Sequence, residues 1–201
     1  MGASRSIDLL DRVAQEAMSC RACHLWQDAT QTVFGEGSPK ARMMLVGEQP
    51  GDQEDLQGHP FVGPAGRVLD EALTTAGVAR GDVYVTNAVK HFKWQPRGKR
   101  RIHDKPNRQE VLACRPWLER ELELVEPEVV VALGATAAQS LLGPSFKLTA
   151  HLGEVMDSTG LAPNLMATVH PSLVLRTRDP GERETVKARL SKDLATAFSL
   201  L

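Results

Sequence analysis

The sequence predicts an α/β fold, a three-layer α/β/α sandwich with a central four-stranded parallel sheet, and three observations carry that prediction. Four short runs, "ARMMLVGE" (41–48), "DVYVTNAVK" (82–90), "EVVVALG" (128–134) and "LMATVHP" (165–171), are apolar almost without interruption. Strands buried on both faces of a parallel sheet read that way. Helical patterns lie between the runs, and strands alternating with helices imply right-handed crossovers that cover both faces of the sheet. Each run also delivers polar residues at its carboxyl end, in "GEQPG", "TNAVKH", "LGAT" and "HPS", where open α/β sheets bind their ligands.

Taken in order, "SIDLLDRVAQEAM" (6–18) opens the chain as a helix, and "GPAGRVLDEALTTAG" (63–77) is a second, with Pro64 near its start and Gly77 past its end. "NRQEVLACRPWLERELELVEP" (107–127) reads as a long amphipathic helix capped by Asn107, which Pro116 is expected to kink or split. "GATAAQSLLG" (134–143) and "GERETVKARLSKDLATAFSLL" (181–201) supply the last two. The strand ends bring Glu48, Gln49, Asn87 and His170 to one crevice. No repeat, low-complexity tract or polar linker divides the chain, so one domain over residues 1–201 is expected.

The totals limit the function. Lys and Arg number 24 against 25 acidic residues, so no global field draws the molecule to nucleic acid or membrane, and any polyanion site is local. No run approaches a membrane span, and no apolar leader follows the N-terminus, which fits a soluble cytoplasmic protein. An odd set of three cysteines suits a reducing compartment better than a disulfide framework.

Those cysteines form a candidate metal site. "CRAC" places Cys20 and Cys23 at chelating spacing, Cys114 is a third thiolate, and His91, which ends the second strand, is the candidate fourth ligand, with His24 competing. Three thiolates and an imidazole suit structural zinc or an iron–sulfur cluster.

The missing local field lies in residues 90–108, "KHFKWQPRGKRRIHDKPNR", where eight Lys or Arg face one acid, Asp104. Phe92 and Trp94 interleave with the cations, as in surfaces that pair phosphates while stacking bases. The Gly and Pro in "GKRRIHDKP" argue against regular structure there.

"GEQPGDQED", "PFVGPAG", "VTNAVK" and "HPS", with "CRAC" before and "ACRPWL" after, resemble the uracil-DNA glycosylase superfamily, most nearly the family-4 iron–sulfur enzymes, from about Cys20 to the last helix. His91 in place of that family's cysteine, and the long "GKRRIH" loop, resemble the UdgX subgroup, which excises uracil and stays joined to the abasic site through the loop histidine. The resemblance implies the uracil-DNA glycosylase fold and a [4Fe-4S] cluster, zinc being the alternative. It implies uracil-containing DNA as partner, single-stranded or with the base flipped, uracil as product, and a monomer in the bacterial cytosol.

It also assigns roles. Phe61 stacks on the flipped base, Asn87 reads its edge, Glu54 crowds the C5 side, and Gln49 or the backbone around it bonds the base. His170 donates to the uracil oxygen as charge develops, and His103 attacks the anomeric carbon while Glu48 orients its ring. Lys99, Arg100 and Arg101 hold the loop on phosphates, and Arg176 meets a further phosphate. The alternative is an ordinary hydrolytic enzyme that turns over, its basic loop serving only to bind DNA.

Overall fold

The computed structural model describes residues 2–157 and 160–201. In chain order the elements are α1 (Gly2–Met18), β1 (Met43–Gly47), α2 (Asp52–Gln57), α3 (Pro64–Thr75), β2 (Val83–Asn87), β3 (Trp94–Arg97), β4 (Arg100–His103) and α4 (Arg108–Val125). They continue with β5 (Val129–Leu133), α5 (Ala135–Leu142), β6 (Val155–Asp157), β7 (Asn164–Thr168), α6 (Ser172–Arg176) and α7 (Pro180–Phe198).

The sheet runs β2-β1-β5-β7-β6, with β1 parallel to β2 and β5, and β5 parallel to β7. Every residue of β1, β2 and β5 is buried. Alternation then sends Met43, Leu45, Val129 and Val131 into a core under α3 and α7. It sends Met44, Val46, Val130 and Ala132 into a second core under α4 and α5. Because the chain passes from β2 back across β1 to β5, the strand order reverses beside β1, and a crevice opens at the carboxyl ends of β1 and β5.

Beyond adding the short helices α2 and α6, the structure departs from the sequence expectations in three places. The sheet has five strands, not four: β6 is an antiparallel edge of three residues paired to β7, too short and too polar in its flanks to register as an apolar run. The basic stretch is a hairpin, β3 antiparallel to β4, turned by Gly98 at φ +62° and Lys99, the two-residue turn that starts on glycine. And α4 runs unbroken through Pro116. Its start is secured by a capping box in which the Asn107 side chain accepts from Glu110 N–H and Glu110 accepts from Asn107 N–H.

One buried ion pair ties α4 to β2. Lys90 and Glu121, about 1% and 0% exposed, meet at 2.5 Å. Lys90 Nζ also donates to Thr86 Oγ1 and the Asn87 carbonyl, while Glu121 accepts from Tyr84, Thr86 and Gly35 N–H. Such a pair is tolerated only because its remaining donors and acceptors are satisfied.

Candidate active site

A cleft of about 920 Å³ opens where the strand order reverses, lined by Glu48, Gln49, Glu54, Phe61, Asn87, His103, His170 and Arg176 among others. Strand ends supply Glu48, Gln49, Asn87 and His170, the hairpin supplies His103, and α2 and the loop after it supply Glu54 and Phe61. The close approach of their side chains depends on Gly47, the last residue of β1. A Cβ there would stand 2.3 Å from Asn87 Oδ1 and 2.6 Å from Phe61 Cζ. Phe61 itself holds φ +58°, a left-handed conformation that a bulky residue adopts only under constraint from its surroundings.

His170 follows β7, and its ring lies 6.2 Å from that of Phe61. Its Nδ1 accepts the Ser172 N–H at 3.1 Å, so a neutral ring carries its proton on Nε2. Burial, reinforced by Arg176 and His103 and opposed by Glu48, lowers its pKa to about 4, and the ring is neutral at pH 7.

Glu48 follows β1. Its Oε1 lies 3.2 Å from His103 Nε2, and its Oε2 accepts from the Thr136 hydroxyl across the reversal point. Burial alone would raise its pKa, but the bonds from His103 and Thr136 and the nearby imidazoles hold it below the ordinary carboxylate value. A carboxylate 3.2 Å from Nε2 favours, in a neutral ring, the tautomer with its proton on that nitrogen, whose Nδ1 carries the lone pair.

Two expected base contacts are engaged elsewhere in the protein. Gln49 uses its amide on the hairpin: Nε2 donates to the carbonyls of Lys93 and Asp104, and Oε1 accepts the Lys93 N–H. Glu54 accepts the Gly63 N–H at 2.9 Å, joining the loop before α3 to α2 while its carboxylate edges the cleft.

The basic residues divide sharply. Lys90 is buried with Glu121, Lys93 reaches Glu110 at 3.1 Å, and Arg101 is forked between Asp52 at 2.7 Å and the fully buried Asp55 at 2.6 Å. Arg101 was expected on phosphate; its contacts instead fasten the hairpin to α2. Arg97, Lys99, Arg100, Lys105 and Arg108 are exposed, and among the described residues none has a carboxylate within ion-pairing distance. Phe92 is not a free stacking surface either, being 1% exposed beneath Arg101 and His103. Trp94 donates to the Asp28 carbonyl. Missed from sequence were Thr136, Ser172 and the Asp52/Asp55 pair. The first two lie inside "LGAT" and "HPS", and the carboxylates sit three apart on one face of α2, a spacing that could have suggested a cation between them.

The cysteines lie beside the residues that follow β2 and along α4. Cys23 and Cys114 share a small apolar cluster with Leu25 and Val89. Cys114 Sγ accepts the Lys90 N–H at 3.1 Å and Cys20 Sγ the Trp117 indole N–H at 3.2 Å. These are donors that cluster sulfurs take up. Burial pushes the Cys114 thiol up to about 12, with Lys90 opposing, so a thiolate there calls for a metal partner. His91 is buried, with Nε2 3.0 Å from Thr32 Oγ1, whereas His24 is exposed near Glu110. Among the described residues no three His, Cys, Asp or Glu side chains converge on one point as a single ion requires. A cluster, which takes one ligand on each of several irons, does not ask that of them.

The uracil DNA glycosylase superfamily profile matches residues 34–195. The type-4 uracil-DNA glycosylase of Pyrobaculum aerophilum is 36% identical over 195 residues, covering 94% of this chain and 93% of its own. That of Thermotoga maritima is 37% identical over 186 residues, covering 92% and 93%, and that of Archaeoglobus fulgidus 39% over 175 residues, covering 84% of each.

Proposed function

This chain belongs to the uracil-DNA glycosylase superfamily, and on that basis we propose that it excises uracil from DNA by breaking the N-glycosidic bond. The observation that carries the reading is the meeting, in one cleft, of the Asn87 amide, the Phe61 ring and a neutral His170 whose Nε2–H is its donor. A base in the stack is out of reach, so the nucleotide enters from a single strand or flipped out of a duplex. Phe61 packs on the ring, and the amide of Asn87 offers a donor and an acceptor to uracil's edge, a pattern cytosine reverses. Glu54, at the cleft wall, crowds the C5 position and disfavours thymine. As the bond breaks, negative charge grows on the uracil and positive charge on the sugar. His170 donates to the uracil oxygen, and Glu48 lies on the sugar side as a fixed anion.

The sugar's acceptor has two readings. The type-4 relatives favour water, aligned by Glu48, with release of product and turnover. The contact of His103 with Glu48 favours capture: Nδ1 bonds to C1′ as the C1′–N1 bond breaks, uracil leaves with the electron pair, and Glu48 stabilises the resulting imidazolium. Incubation with a uracil-containing single strand followed by a denaturing gel separates them. Capture gives a heat-stable shifted band that His103→Gln abolishes, and hydrolysis gives free uracil over many turnovers and no band. A protein that releases no uracil in either form overturns the whole reading.

A [4Fe-4S] cluster held by Cys20, Cys23, His91 and Cys114 belongs to this reading. When bound it supplies a brace between the N-terminal segment, the end of β2 and α4, and the glycosidic chemistry makes no electron-transfer demand on it. Iron and sulfide analysis of the purified protein tests it against zinc. The protein is taken to work as a monomer in the cytoplasm, with Lys99, Arg100 and Arg176 on phosphates.

A further inference from the structure

We propose that Thr136 is a positioning residue whose hydroxyl holds the Glu48 carboxylate in the orientation that glycosidic cleavage uses. The inference rests on the reading of Glu48 as the anion on the sugar side, and it holds whether water or His103 takes the sugar.

The local sequence frees that hydroxyl for the task. Threonines inside the helices of this chain turn their hydroxyls back onto the carbonyl four residues earlier, as Thr74 does to Asp70, Thr75 to Glu71, Thr185 to Gly181 and Thr196 to Lys192. Thr136 is the second residue of α5, and four residues before it stands Ala132, still in β5. No helical carbonyl lies behind it, and its hydroxyl donates to Glu48 Oε2 instead. A carboxylate oxygen only accepts, so the direction of the bond is fixed.

The two partners of Glu48 are not held equally firmly. Among the described residues its side chain meets His103 through Oε1 and Thr136 through Oε2. His103 ends a short, mostly exposed strand, and its side chain is 48% exposed. Thr136 is buried in the first turn of α5, beside the fully buried Ala137 and Ala138, and its branched Cβ restricts χ1. The carboxylate turns on a broad two-fold torsion, so a bond from the hairpin alone would let it swing as the hairpin moves. Support therefore runs from α5 through Thr136 to Glu48, and only then to the ring of His103.

The test compares, in the full chain, Thr136→Val, which keeps the shape and removes the hydroxyl, with Thr136→Ser, which keeps the hydroxyl and removes the methyl. Uracil release is followed in a single turnover on a saturating uracil-containing single strand, and melting curves report folding. Without DNA, the Glu48 carboxyl is titrated by NMR in protein labelled with 13C at glutamate Cδ, its signal identified by its absence in Glu48→Gln. The Thr136 bond favours the charged carboxylate, so its loss moves that titration to higher pH. The other titratable or charged groups around it, His103, His170 and, along the cleft, Asp52, Glu54, Lys105 and Arg176, are common to the proteins compared. Thr136→Val is expected to release uracil about 10- to 100-fold more slowly, the scale of one hydrogen bond to a charged group, with the titration displaced upward. Thr136→Ser is expected to recover most of the rate and the parental titration. If valine does not fold, Thr136→Ala against Thr136→Ser gives the same contrast. A parental rate and titration without the hydroxyl overturn the proposal, as does equal slowing in both variants, which assigns the loss to the methyl. Should the parent itself release no uracil, the proposed function fails, and the Glu48 titration still decides whether Thr136 holds the carboxylate.

Discussion

At the scale of single residues, the site depends on one position where a side chain is forbidden and one where a proton is withheld. A methyl group on Gly47 would overlap Asn87 Oδ1 and Phe61 Cζ and so displace the two groups that face the base. Gly47→Ala is expected to reduce uracil release on the order of 100-fold, the cost of displacing groups near the reacting atoms by about an ångström. A kinetic assay beside a melting curve checks this, since a folded but active variant would remove Gly47 from the account. His170 titrates at about 4 in the folded protein against 6.5 for the free ring. On acidification the unfolded chain takes up the proton first, so the stability this residue contributes is complete above pH 6.5 and is lost as pH falls through about 4. Melting temperatures across that window should fall with pH in the parent and fall less steeply in His170→Asn. An identical slope in the variant would show that the ring is not desolvated. Glu48 adds loss of the same sign at lower pH, because its folded pKa is depressed.

At the scale of elements, the hairpin and α4 decide whether the site is assembled. Arg101 forks onto Asp52 and Asp55, a geometry that lysine cannot reproduce. Arg101→Lys should therefore loosen the hairpin, read as faster tryptic cleavage after Lys99 and Arg100, whereas Leu9→Ala on the distant α1 should not change it. Lys90→Met strands a buried Glu121 and should destabilise the fold by about 3–5 kcal/mol in denaturant melts. A loss below about 1 kcal/mol would mean the pair is solvated. These elements were not equally legible. β1, β2, β5 and β7 could be read because nearly every one of their side chains meets a helix layer, so burial writes an unbroken apolar run into the sequence. The hairpin could not be read that way, since β3 and β4 are mostly exposed and their register comes from Gly98 and from contacts to residues far away in sequence, Gln49, Asp52 and Asp55. The same cause lies behind the reassignment of Arg101 and Gln49: a residue type announces what it can bond, while its partner is fixed only by the fold. Glu48, Phe61, Asn87, His103 and His170 were legible because strand ends and motif order carry them to one crevice whatever their partners.

At the scale of the whole molecule, a net charge of −1 leaves DNA affinity to whichever cations the fold has not already paired. Of the eight in residues 90–108, Lys90, Lys93 and Arg101 meet internal carboxylates. In the β3–β4 register Arg97 stands opposite Arg100, and with Lys99 in the turn they make a three-charge edge directed away from the core. Each cation that neutralises a phosphate of a single strand releases condensed counterions and adds about 0.7 to the slope of log affinity against log salt. Replacing Arg97, Lys99 and Arg100 together by Ala should lower that slope by about 2 on a uracil-free single strand, where no chemistry intervenes. Lys187→Ala, which removes a cation paired with Glu71 on the α3 and α7 side, should leave it unchanged. The two variants differ in net charge in the same direction, so a fall confined to the first assigns the field to the hairpin edge and not to the molecule's total. If instead the triple variant kept the parental slope, the strand would have to run past Lys105 and Arg176 at the cleft mouth without touching the hairpin tip.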